Sequence, residues 1–265
     1  MTDTDWQWSE VAAAWPLIQG GFAVSVTLTL LVIALGLPAG LVLGLLTSPR
    51  VAWMRPLGWL LTTLLAVPRL LPGLVVVAAF FVLWPASAEW LHDALGQFDP
   101  GPAADGVAAE LGRAVAAPPF AIAAVALAVV LAARTEFIVR SSVRHVSTQL
   151  RAVARAMGMS RGTELTRVIL PMTARGTAAP LLGAGVRVFR DSTLAAFIGV
   201  ADVLFVAVRD APTPGTRGGN GHLGLELFTL MAIGFLVILV PAELFIRWLT
   251  RSRWMRRGER RAVVA

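Results

Sequence analysis

The sequence predicts an all-α integral membrane protein with about five transmembrane helices, and three observations carry that expectation. Hydrophobic residues make up 57% of the 265 residues and charged residues only 15%, with a mean hydropathy of +0.73. A soluble chain of this length needs a more polar surface. Several apolar runs reach the roughly 20 residues that cross a bilayer. The arginines gather beside those runs rather than spreading over the chain. Lipid offers no partner to backbone N–H and C=O groups, so spans are helices or closed barrels. The alternation of a barrel strand is absent.

Taken in order, the predicted spans are 22–46, 57–84, 120–139, 177–200 and 225–246, within one transmembrane domain covering 1–265. The second is too long for one straight crossing and is interrupted by Pro68, Arg69 and Pro72. The fourth carries charges. The opening MTDTDWQWSE is acidic, unlike the basic start of a cleavable signal peptide. Arginine-rich stretches follow the first span, separate the third from the fourth, and fill a basic tail at 247–265. With five spans these fall on one face. The acidic N-terminus, the 93–110 loop and the Gly/Pro-rich 210–221 loop fall on the other. The positive-inside rule puts the arginine face in the cytoplasm, with the N-terminus outside and the C-terminus inside.

Composition also excludes chemistry. There is no cysteine, and all 23 basic residues are arginine. A phosphate-binding P-loop requires its lysine, and Schiff-base catalysis requires a lysine amine. His92, His145 and His222 lack metal-ligand spacing. No metal, no cofactor and no catalytic residue is expected. The net charge of +7 is explained by membrane orientation without nucleic acid.

The cytoplasmic stretch QLRAVARAMGMSRGTELTRVILP, residues 149–171, is built differently from the spans. Leu150, Val153, Ala154 and Met157 recur at i, i+3, i+4 and i+7, one apolar stripe of a helix. Arg151 and Arg155 stand one turn apart on the polar side. Gly158 fits a helix stop. Ser160 fits the cap of a second helix, with Glu164 in its first turn favourable to the dipole. Pro171 marks a bend or boundary before the fourth span. The first helix is too short to hold alone in water, so its stripe needs a partner. The bilayer surface is one candidate, and a protein docking on the cytoplasmic side is another. Periodicity does not choose between them.

The ordered set of motifs resembles the type I ABC importer permeases, closest to the polar amino acid uptake subfamily. Gly158, Ser160 and Arg167-Val168-Ile169-Leu170-Pro171 stand at the spacing of that family's cytoplasmic EAA loop. Arg140-Ser141-Ser142-Val143 occupies the place of its Arg-Gly-Gly-Ile. Arg190-Asp191-Ser192-Thr193-Leu194 and Ile198-Gly199-Val200 resemble its Lys-Asp-Thr-Ser-Leu and Ile-Gly-Val. Arg69-Leu70-Leu71-Pro72 is similar to its Arg-Gly-Thr-Pro. The likeness covers about residues 18–250. There are departures: the opening glutamate of the motif aligns with Ala152 and the next alanine with Val153, the asparagine is missing near Ala184, and the 85–119 loop is long for the subfamily.

The resemblance implies a permease subunit in a bacterial inner membrane, with ATP hydrolysis on a separate ABC ATPase subunit. It also implies a second permease chain and an extracytoplasmic solute-binding protein. Residues 147–171 become the coupling loop. Leu150, Val153, Ala154 and Met157 would fill a groove on the ATPase, Gly158 and Ser160 would shape the turn, and Arg151 and Arg155 would meet acidic residues at the rim.

Within the fourth span, Arg187, Arg190 and Asp191 each cost a few kcal/mol if they face mid-bilayer lipid. They are therefore expected to line a translocation path or to form an ion pair inside the bundle. Ser192 and Thr193 either join that path or bond back to their own helix. Asp191 reads as the only acid well inside a span. The alternative function, a stand-alone secondary carrier, calls for internal repeats and midplane acids, and no clear repeat appears.

Overall fold

In the computed structural model, the described residues are 8–47, 55–83, 111–112, 114–115, 117–145, 148–209 and 223–251. The predicted 85–119 loop lies almost wholly outside them, and the 210–221 loop and most of the basic tail do so too. Helix α1 runs Trp8–Leu46, α2 Arg55–Leu70, α3 Gly73–Leu83, α4 Pro118–His145, α5 Thr148–Ala156 and α6 Arg161–Glu164. A π-helical turn, Leu165–Ile169, leads into α7, Leu170–Asp191. A 3₁₀ segment, Ser192–Ile198, follows, then α8, Val203–Arg209, and α9, Leu223–Arg251. No strand occurs among the described residues, as the expected fold class requires.

Among the described residues, three stretches are long and apolar enough to cross a membrane: Ile18–Leu46, Pro118–Arg144 and Phe228–Leu249. A fourth candidate is the pair Gly58–Leu70 and Gly73–Leu83, bent by 108°. The break falls at Leu71-Pro72, because proline offers no N–H to continue the ladder. The predicted fourth span corresponds to α7 and the 3₁₀ segment. It does not meet that composition, because Arg187, Arg190 and Asp191 interrupt its apolar residues.

The chain divides into two compact units. The first comprises Met1–Ile33, Pro72–Ala128 and Val188–Val240. Its core sets Ile18 and Val203 against Phe22, Leu230, Met231 and Phe235. Phe235 packs on the rings of both Phe22 and Phe189, at 5.7 and 5.2 Å. The start of α8 lies so close to α1 that a side chain at Gly21 would come within 2.7 Å of the Val203 Cα. The buried Ser25 hydroxyl donates back to the Gly21 carbonyl at 3.1 Å. Asp202 caps α8, accepting the Phe205 N–H at 2.8 Å.

The second unit comprises Ala34–Leu71, Val129–Arg187 and Pro241–Ala265. Here α1 and α4 meet almost backbone to backbone. A Cβ at Gly40 would lie 2.6 Å from the Ala132 carbonyl oxygen, and one at Gly44 2.7 Å from the Val139 Cβ. Small residues four apart permit such an approach between helices in lipid. Val139 and Val143 on α4 join Ile169 in a buried cluster that also takes Leu45, Leu150 and Met172.

Candidate functional site: a capped loop and an arginine-lined cavity

The 148–171 stretch is a helix, a turn and a second helix. Its turn is fixed by backbone geometry. Helix α5 ends in a paired C-terminal motif: the Gly158 N–H bonds the Arg155 carbonyl at 2.9 Å, and the Met159 N–H bonds the Ala154 carbonyl at 3.1 Å. Gly158 has φ +74°, the left-handed region where a side chain is strained. The Ser160 hydroxyl then accepts the Thr163 N–H at 3.3 Å and shares a 2.9 Å hydrogen bond with the Thr163 hydroxyl. Glu164 sits buried at the end of α6 and receives the Arg155 Nε at 3.3 Å, tying the two helices together. The boundary associated with Pro171 falls just ahead of it, in the π-helical turn.

The apolar stripe is split by this packing. Ala154 is buried and Leu150 rests on the cluster of Val139, Val143 and Ile169. Val153 and Met157 face outward, 53% and 64% exposed. Ala152 is exposed beside them. Arg155 meets Glu164 of its own loop. Arg151 lies on α5, with its side chain outside the described residues.

Within the same unit, α2, α4 and α7 line a half-open cavity of about 300 Å³. Arg69, Arg134 and Arg187 line it, with Phe137, Ile138, Pro180, Gly183 and Ala184. The Arg69 guanidinium lies over the Phe137 ring, 4.4 Å from its centroid, close enough for a cation–π attraction. Its Nη1 is buried without a hydrogen-bond partner among the described residues.

Of the five residues proposed for the path, Arg187 alone lines this cavity. The other four belong to the first unit. Arg190 is exposed and Asp191 half-buried. The Ser192 and Thr193 hydroxyls donate to the carbonyls of Phe189 and Arg190, each at 2.8 Å, so they bond back to their own helix.

Sequence reading missed Arg134 and Glu136. Asp191 is not the sole acid within a predicted span: Glu136, in the third, is fully buried. It accepts the Thr47 hydroxyl at 2.7 Å and the Arg140 Nε at 3.0 Å. The available signal was the run Arg134-Thr135-Glu136 inside apolar residues, with Arg140 one turn on.

A family model for the binding-protein-dependent transport system inner membrane component matches residues 36–255. The chain belongs to this family. The permease is 24% identical over 247 residues to the glutamate/aspartate import permease protein GltK of Escherichia coli O6:H1, covering 93% of this chain and 98% of GltK. It is 27% identical over 230 residues to the L-cystine transport system permease protein TcyB of Bacillus subtilis, covering 85% and 84%. Its fold matches the crystal structure of an amino acid ABC transporter with histidines at a TM-score of 0.68 and 20% identity, covering 95% of this chain and 99% of the other. The MetNI methionine ABC transporter in an inward-facing conformation matches at 0.55 and 17%, covering 95% and 100%. The permease is therefore an inner-membrane component of a transport system, and the stand-alone carrier reading gives way to it.

Proposed function

We propose that this permease is the transmembrane subunit of an ATP-driven ABC importer for amino acids, and that the 148–171 loop receives the motion of a separate ATPase subunit. The observation that carries the coupling role is the exposed pair Val153 and Met157, held outward by a turn fixed at both ends. Two exposed apolar side chains one turn apart suit a shallow groove on a partner. Leu150 packs on the cluster of Val139, Val143 and Ile169, and Ala154 is buried, so neither fills that groove. The N-terminus lies outside and the C-terminus in the cytoplasm, on the arginine distribution. The five spans are the four candidates by length and composition plus α7, whose Arg187 lines the cavity of its own unit. A second permease chain completes the path and an extracytoplasmic binding protein delivers the solute. Ala152, in place of the family glutamate, favours a partner permease of different sequence.

Replacing Met157 with Glu puts a charge into the contact, and Gly158→Pro removes both the N–H bonded to Arg155 and the positive φ. Both variants are expected to insert normally and to lose ATP-driven uptake in reconstituted vesicles. Wild-type uptake by both would refute the docking assignment. A purified complex holding two copies of this chain, with solute-stimulated ATP hydrolysis, would remove the mixed pairing.

A further inference from the structure

Asp202 is the one acid or base among residues 192–208, and it is fully buried at the head of α8. One carboxylate oxygen accepts the Phe205 N–H at 2.8 Å. The other, Oδ2, is buried without a hydrogen-bond partner among the described residues. An ionised oxygen left so is costly, and a proton on the carboxyl removes the cost. The cover over this residue comes from α1. A Cβ at Gly21 would lie 3.1 Å from the Asp202 carbonyl carbon, and the Val203 N–H reaches the Ser25 hydroxyl at 3.5 Å. Ahead of α8 the helical run ends at Gly199, φ +91°, so α8 is a separate element of seven residues. No acid or base occurs between Ile18 and Ile33 on α1 or anywhere on α3. The charged groups on the other packed elements are Arg190 and Asp191 ahead of the 3₁₀ segment, Arg209 at the end of α8 and Glu226 in the first turn of α9. Burial and backbone N–H groups, with no ion pair, govern the Asp202 carboxyl.

We propose that α8 is a proton-held lid at the outer end of the permease: Asp202 carries a proton while α8 is seated on α1, and releases it to water when α8 lifts. This rests on the orientation proposed above, which puts the end of the fourth span outside. Burial holds the carboxyl at about 7 in the seated state, against 3.8 in water. Acid favours whichever state binds the proton more tightly. The seated state therefore has its full advantage below about pH 4 and loses it as the pH rises through about 7. Between pH 6 and pH 8 the lifted population is expected to grow about tenfold.

The chain has no cysteine of its own, so Ala207→Cys, at a buried position on α8, reports lifting by its reaction with a membrane-impermeant maleimide. The purified full complex is reconstituted in vesicles, and the reagent is applied to the extracytoplasmic or the cytoplasmic face at pH 6 and pH 8. Asp202→Asn in the same background keeps a capping side chain that does not titrate, and it corrects for the pH dependence of the thiol itself. Should that variant fail to assemble, Asp202→Ser, also a capping residue, takes its place. The labelling rate with Asp202 intact, divided by the rate of the non-titrating variant, is expected to rise about tenfold from pH 6 to pH 8, and from the extracytoplasmic face alone. A flat ratio with labelling from that face would overturn the lid and leave the orientation standing. Labelling from the cytoplasmic face alone would remove the orientation and the lid together. ATP-driven uptake with Asp202 intact, relative to Asp202→Asn, is expected to rise over the same range. No rise there would reduce Asp202 to a structural cap and overturn the proposal.

Discussion

The Thr47 hydroxyl donates to the Glu136 carboxylate at 2.7 Å, joining the end of α1 to the middle of α4 across 89 residues of sequence. Arg140 completes the node at 3.0 Å on the same oxygen. Removing one partner of a buried ion pair leaves the other charge uncompensated. Glu136→Ala is therefore expected to destabilise the permease by about 3 kcal/mol. Thr47→Val, which removes one hydrogen bond and keeps the ion pair, is expected to cost about 1 kcal/mol. Thermal unfolding of the purified complex in detergent orders the two. Equal midpoints for Glu136→Ala and the wild type would show that the node carries no weight.

Two glycines predict opposite signs for one substitution. A Cβ at Gly40 would sit 2.5 Å from the Thr135 Cβ, whereas one at Gly176 meets nothing within 4 Å. Gly40→Ala is expected to force α1 and α4 apart at a cost of about 1–3 kcal/mol. Gly176→Ala, in the helical run of α7, is expected to stabilise by about 0.5–1 kcal/mol. Unfolding midpoints of the two variants, measured side by side, check the pair.

Asp202 sets a pH dependence. It lies beyond the predicted fourth span, and burial pushes its carboxyl from 3.8 up to about 7, partly opposed by the N–H groups of Phe205 and Leu204. A folded-state pKa above the unfolded one contributes stability that is complete below about pH 4 and lost as the pH rises through about 7. Asparagine caps a helix as well as aspartate and does not titrate. The melting temperature of Asp202→Asn relative to the wild type is therefore expected to rise between pH 5 and pH 8. Asp202→Ala loses the cap as well, so it is expected to lie about 1 kcal/mol below Asp202→Asn at acid and alkaline pH alike. A flat difference between Asn and Asp across that range would contradict the assignment.

Local features were legible in the sequence wherever one residue type dictates the backbone. Pro72 marked the break between α2 and α3, Gly158 the stop of α5, and Ser160 the start of α6. The stripe on α5 was legible as a stripe, yet period alone cannot say which half turns inward. Val139, Val143 and Ile169 decide that, and they come from other elements. The cavity was illegible for the same reason: Arg69, Arg134 and Arg187 share no spacing in the chain and meet only through tertiary packing. Gly40 and Gly44, small residues four apart in an apolar run, were a further cue to close helix packing, which sequence reading missed.

The close seam at Gly40 and Gly44 bears on how force travels. Leu150 packs on the cluster of Val139, Val143 and Ile169, and the Val139 side chain fills the space beside Gly44, so α5 is joined to the α1–α4 pair through packed side chains. Close-packed interiors yield little under load. A push at Met157 would therefore reach Thr47 as displacement of a stiff lever, and the slack needed for a working stroke would have to be found elsewhere in the chain.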